Sequence, residues 1–107
     1  MKNLLISGNT LGRGNDEVGK ITIQKFFINL ASRKDLPEKI FFYNTGVLLC
    51  VPSSPVVDEL KVLKEAGVKI FSCTTCVEFF KIEVAPFVEK STMEDLLNIL
   101  SGECIVL

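Results

Sequence analysis

The stretch Ser54-Pro55-Val56-Val57-Asp58-Glu59-Leu60-Lys61-Val62-Leu63-Lys64-Glu65-Ala66-Gly67-Val68-Lys69-Ile70-Phe71-Ser72 decides the fold, because it holds one complete helix-to-strand unit. Ser54 followed by Pro55 has the form of an N-cap with proline at the first helical position. Val57, Leu60 and Leu63 recur at three-residue steps, the spacing of one helix face, and Gly67 supplies the residue that leaves the helix. Residues 68–72 form a short apolar run of strand length that leads straight into Cys73-Thr74-Thr75-Cys76. A short amphipathic segment continues to Lys81.

The same alternation extends in both directions. Residues 3–7 carry Leu4, Leu5 and Ile6 and close on Gly8, the pattern of a strand buried on both faces. After a polar, glycine-rich loop, Asp16 is placed to cap a helix running to about residue 32, with Gly19, Ile23, Phe26, Phe27 and Leu30 on its inner face. Residues 39–43, with Ile40, Phe41 and Phe42, read as a second strand, and Asn44-Thr45-Gly46 turns the chain. Residues 47–51 fit neither period. Residues 85–89 are a weaker strand, in which Pro86 favours an edge or a strand start because it cannot donate to a ladder. Ser91-Thr92-Met93-Glu94 has the form of a capping box opening a helix with Leu96, Leu97 and Leu100 that closes at Gly102. Residues 103–107 form the last strand. The expectation is an α/β fold with three layers, a mainly parallel sheet of about five strands covered by helices on both faces.

At 107 residues the chain is the size of one domain, spanning residues 1–107. Its mean hydropathy of +0.37 offers more apolar surface than one copy readily hides, which points to a homo-oligomer. Twelve basic and thirteen acidic residues, spread without long runs, argue against nucleic acid or an anionic membrane as partners. The apolar run at the N-terminus is too short for a signal peptide, and no later one approaches the roughly 20 residues of a spanning helix, so a cytoplasmic location is expected. There the four cysteines would stay thiols rather than form a disulfide framework. Histidine is absent, which excludes cysteine–histidine proteases, serine triads and imidazole-based zinc catalysis.

In open parallel sheets chemistry gathers at the carboxyl ends of the strands, which here are the loops 8–15, 44–52 and 73–76. A thiol where a strand passes into a helix meets unpaired backbone N–H groups that favour the thiolate, so its pKa is expected to fall. Cys73 stands at that junction with Cys76 one helical turn on, a spacing suited to passing a persulfide or closing a disulfide. Cys73 and Cys76 are therefore the candidate catalytic residues. A zinc site would need two more ligands, and Cys50 and Cys104 are lone cysteines without a second paired motif, so no metal is expected. Cys104 reads as a small core residue and Cys50 as a space-filler near the same sheet edge.

Gly14-Asn15-Asp16-Glu17-Val18-Gly19-Lys20 has the spacing of a phosphate-binding loop, but Ile21 stands where magnesium chemistry needs Ser or Thr. Asp16 and Glu17 would also put carboxylates where phosphates must lie. Asn9, Arg13, Asn15 and Asp16 remain a polar cluster that could orient an anion or a persulfide. Asn44, on the second loop, joins them as a candidate substrate-binding residue.

Residues 14–20, with Phe42-Tyr43-Asn44-Thr45-Gly46-Val47 and Ser72-Cys73-Thr74-Thr75-Cys76, form a set that resembles the DsrE-like domain of YedF-type proteins over nearly the whole chain. The resemblance implies a three-layer α/β/α domain, often oligomeric and related to sulfur-relay subunits that take a persulfide on one cysteine and hand it on. It implies Cys73 as the acceptor, Cys76 as its helper, and no cofactor. YedF-type proteins are associated by name with selenium metabolism, and they usually place a small TusA-like sulfur-carrier domain ahead of this one. Here Met1 stands almost at the first strand, so any TusA-like carrier is expected to be a separate chain, and sulfur transfer is the better description. The expected function is thus a sulfurtransferase or sulfur carrier. Its rivals are a dithiol redox protein cycling Cys73 and Cys76, and a non-catalytic oligomeric subunit.

Overall fold

The computed structural model describes residues 1–107. Five strands, β1 (Asn3–Ile6), β2 (Lys39–Phe42), β3 (Lys69–Cys73), β4 (Glu89–Ser91) and β5 (Cys104–Val106), form one sheet in the order β4-β3-β2-β1-β5. Every pairing is parallel. Helices α1 (Asp16–Ala31), α2 (Val57–Glu65), α3 (Thr74–Phe80) and α4 (Met93–Leu100) alternate with them, and a 3-10 helix, Asn44–Cys50, precedes α2. From β1 to β4 the chain steps steadily toward one edge, and from β4 it returns across the sheet to β5. Because parallel crossovers are right-handed, α1, α2 and α3 fall on one face and α4 on the other, giving three layers.

Double coverage explains why the inner strands read as unbroken apolar runs: Leu4, Leu5, Ile6, Ile40, Phe41 and Phe42 are all buried. Phe27 of α1 stacks on Phe42 of β2, with ring centroids 5.9 Å apart. The register sets Ile6 beside Phe42 and Phe42 beside Ser72. Ser7 and Tyr43 follow directly and lie in one row with Cys73, the last residue of β3, so the three loops begin side by side.

Several local expectations are corrected. Asp16 does not cap α1: the Asn15 side chain accepts the Val18 N–H at 2.9 Å, and Asp16 is the first helical residue. Ser54-Pro55 does not start α2. Ser54 Oγ accepts the Val56 N–H at 3.1 Å and closes a turn, so the helix opens two residues after the proline, at Val57. Its end follows expectation, with Gly67 at φ +102° while the Val68 N–H reaches back to the Leu63 carbonyl. Residues 85–88 are a turn closed by the Val88 N–H on the Ala85 carbonyl, and the fourth strand is Glu89–Ser91, at the sheet edge. The capping box is shifted by one, pairing Thr92 with Asp95. Residues 47–51, ambiguous by period, belong mostly to the 3-10 helix, which buries Val47, Leu49 and Cys50.

Asp95 ties this corner together. Its carboxylate accepts from Ser91 Oγ at 2.6 Å and from the Thr92 N–H at 3.1 Å. Chiefly the Ser91 hydrogen bond, then the Thr92 backbone, hold its pKa below the ordinary aspartate range. A carboxyl with a depressed folded pKa stabilises the fold fully above its unfolded value, and that contribution disappears as pH falls through the folded one. Denaturant titrations of native protein and Asp95→Asn should therefore differ at neutral pH and converge below about pH 4. A gap independent of pH would show that the carboxylate charge is not what matters.

Apolar side chains also remain outside, with Phe79 of α3 77% exposed, Leu97 of α4 58% and Val106 of β5 56%. No helix is long and apolar enough to cross a membrane.

Candidate functional site

Cys73 ends β3 and is the residue from which α3 starts. Its burial is nearly complete, at 2% exposed, because it is still part of the sheet layer. Cys76, in the first turn of α3, is partly exposed. The Asn44 N–H points at its sulfur, with N to Sγ 3.2 Å. Asn44 can aim its N–H there because it adopts a left-handed conformation, φ 51°, which asparagine tolerates better than most residues. Its own Oδ1 accepts the Thr45 N–H at 2.7 Å and holds the turn. Between the thiols, Thr74 Oγ1 donates to the Ser91 carbonyl at 3.0 Å and fastens the start of α3 to β4.

Burial pushes the Cys76 thiol above its ordinary pKa. The Cys73 thiol beside it adds to the rise, and the Asn44 N–H opposes it. Replacing Cys73 by alanine removes one of the raising contributions. The pH profile of Cys76 alkylation by iodoacetamide should shift to lower pH, with faster reaction near about pH 8. An unmoved profile would mean that the two thiols are not in electrostatic contact.

Beside Asn44, the carboxyl ends of β1, β2 and β5 enclose an open cleft of about 570 Å³, lined by Ser7, Thr10, Arg13, Tyr43, Asn44 and Thr45 among others. Arg13 and Asn44 of the expected substrate-binding set meet here. The others do not: Asn9 faces a separate depression with Lys20 and Gln24, the Asn15 side chain is occupied as a helix cap, and Asp16 is exposed on the first turn of α1. Sequence reading missed Ser7, Thr10, Tyr43 and Thr45. Tyr43 and Thr45 flank Asn44 at a strand's carboxyl end, a signal that could have found them.

Cys50 is completely buried, and burial drives its pKa far upward, so it is an inert core thiol. Cys104 is partly exposed on β5, at the sheet edge, rather than enclosed in the core. No group of three or more Cys, Asp or Glu side chains is placed to hold a metal ion. A second groove, about 580 Å³ and almost wholly apolar, runs between α1 and β5 past Leu4, Phe26 and Ile105 and shares no residue with the thiol pair.

The sheet is an all-parallel five-stranded α/β sheet with a thiol pair where a strand meets a helix, at the carboxyl end where such sheets gather their ligands. The chain belongs to the DsrE/DsrF-like family, whose model matches residues 17–103. That membership links it to sulfur-relay proteins. Among solved structures it is similar to the ychN protein from E. coli, at 15% identity and TM-score 0.72 over 100% of both chains. It is also similar to MTH1491, a protein of unknown function from Methanobacterium thermoautotrophicum, at 14% identity and TM-score 0.69 over 100% of both chains. A third likeness is to BT1422 from Bacteroides thetaiotaomicron, at 19% identity and TM-score 0.62 over 99% of this chain and 95% of that one. At these identities the likeness is one of fold. No curated protein matches the sequence.

Proposed function

We propose that this protein is a sulfur carrier or sulfurtransferase in which Cys76 takes up sulfane sulfur and Cys73 is the second thiol of the site. The observation that carries this reading is the pairing of a partly exposed Cys76, met by the Asn44 N–H, with a buried Cys73 beside it. The resemblance to YedF-type proteins favours Cys73 as acceptor, and the difference in exposure argues for the reverse assignment. The Asn44 N–H aimed at the sulfur partly offsets the rise that burial gives the Cys76 pKa and so supports the thiolate, which is the nucleophile. In uptake the Cys76 thiolate attacks the outer sulfur of a persulfide R–S–SH. A new S–S bond forms at Cys76 as the old one breaks, and R–S⁻ leaves with the electron pair, so no cofactor is needed.

Transfer onward goes to a thiol of a TusA-like carrier, and the exposed apolar edge at β5 and α4 supports assembly of several copies. The YedF-like motifs leave either sulfur or selenium as the element carried, and offering a persulfide and a selenopersulfide in parallel tells them apart by the mass added to Cys76. The test is intact-protein mass spectrometry after incubation with a persulfide donor, with the modified residue located by digestion. One added sulfur on Cys76 is the expected result. Labelling of Cys73 alone restores the original assignment, and native thiols that take up nothing overturn the carrier reading. Proximity of the two thiols favours one further reading, a dithiol redox protein, which predicts a Cys73–Cys76 disulfide at cytosolic potentials without any sulfur donor.

A further inference from the structure

Helix α3 rises from the end of β3 with no connecting loop, and only seven residues form it. A helix that short has little stability of its own and keeps its place through tertiary contacts. Val77 and Phe80 pack its middle and end onto the core. Its first three residues, Thr74, Thr75 and Cys76, include no fully buried side chain, and Cys73 at the N-cap gives no side-chain cap. The turn that carries the partly exposed thiol is therefore the part of the helix that packing fixes least.

Two polar contacts hold that turn from opposite sides. Successive residues of an α-helix stand about 100° apart around its axis, so Thr74 and Cys76 point about 200° apart. The Thr74 hydroxyl donates to the Ser91 carbonyl of β4 at 3.0 Å, while Cys76 Sγ meets the Asn44 N–H, just past β2, at 3.2 Å. Strands β2 and β4 are the two neighbours of β3, so the turn is slung between them. The β4 anchor is firm. Cys73 pairs with Ser91 in the sheet register, Ser91 is only 3% exposed, and its hydroxyl donates to the Asp95 carboxylate at 2.6 Å.

We propose that Thr74 is a positioning residue for the thiol: its bond to the Ser91 carbonyl fixes the roll of α3 at which Cys76 Sγ meets the Asn44 N–H. The effect on sulfur uptake rests on the sulfur-transfer reading above, whereas the placement of the sulfur does not depend on what Cys76 carries.

Thr74→Val keeps the branched shape and removes the donor. In amide NMR of the reduced protein, the Asn44 N–H resonance should shift, although Asn44 lies on another loop. Uptake of sulfur at Cys76 from glutathione persulfide should slow about tenfold, because the sulfur then attacks without the N–H that supports its thiolate. Thr74→Ser, which keeps the hydroxyl, should return both readouts to near their native values. Thr75→Val makes the same change one residue on, where the side chain is exposed, and should move neither. Should the Thr74→Val protein fail to fold, Thr74→Ala removes the same donor without added bulk and is read in the same way.

An Asn44 resonance that stays in place when the Thr74 donor is removed, that Thr75→Val moves equally, or that Thr74→Ser leaves displaced would overturn the positioning role, even in a protein that takes up sulfur normally. An Asn44 shift reversed by Thr74→Ser, in a protein whose native form takes up no sulfur, would leave the positioning role standing and remove the transfer reading instead.

Discussion

Replacing Cys76 by serine is expected to abolish sulfur uptake from a persulfide donor, reducing it to that of a chain with no site thiols. A serine hydroxyl stays protonated at neutral pH and cannot open an S–S bond, and the remaining thiol, Cys73, is only 2% exposed. Fold stability should hardly change, since the lost sulfur is partly exposed and accepts a single backbone hydrogen bond. Cys73→Ser should behave differently. Uptake at Cys76 persists, but the persulfide survives longer. In the native protein the Cys73 thiol can attack the inner sulfur of the Cys76 persulfide, forming a Cys73–Cys76 disulfide and expelling hydrogen sulfide with both hydrogens. Time-resolved intact mass, together with a sulfide assay, reads both steps. If Cys76→Ser retained native uptake while Cys73→Ser lost it, the roles would be exchanged.

Gly46→Ala should give the largest loss of stability of any small substitution near the site. Gly46 is buried in the 3-10 helix, and a Cβ there would stand 2.4 Å from the Ile6 carbonyl oxygen and 3.2 Å from its carbon. The obstacle is backbone of β1, held in the sheet between β2 and β5, so it cannot move aside as a flexible side chain would. Overpacking of this kind costs about 2–3 kcal/mol. The entropy that alanine removes from the unfolded chain returns only about 0.4–1 kcal/mol, so the loss wins. In a chain of this size the melting temperature should drop by about 10 °C, readable by circular dichroism. The same displacement would move Asn44, two residues earlier, away from Cys76 Sγ and slow labelling there. A drop of no more than a degree or two would mean that the 3-10 helix shifts without cost.

Much of the fold was legible because it is encoded locally. The unbroken runs at Leu4-Leu5-Ile6 and Ile40-Phe41-Phe42, the helical stripe through Ile23, Phe27 and Leu30, and Gly67 at the end of α2 each specify their element through near neighbours alone. Errors came where two local signals competed. Ser54-Pro55 suits a turn as well as a helix start, and the hydroxyl bond to the Val56 N–H settled it as a turn. Thr92 and Asp95 formed the capping box that Ser91 and Glu94 also matched by type, because Ser91 was taken up in β4. The weak run around Pro86 became a turn, since the Ala85 N–H goes to the Cys50 carbonyl rather than to a neighbouring strand.

The candidate site divides in the same way. From sequence alone came the α/β class, the parallel sheet, the three loops at its carboxyl end and the Cys73/Cys76 pair with its one-turn spacing. Only the tertiary structure decided the strand order, which of the two thiols is exposed, and that Arg13 and Asn44 share a cleft that Asn9, Asn15 and Asp16 do not join. The bond from Asn44 to Cys76 spans 32 positions of chain and exists because β2 and β3 lie side by side in register. Periodicity and caps act over a few residues and survive in the sequence as pattern. Exposure and distant hydrogen bonds depend on which elements pack together, and no short stretch of sequence contains that information.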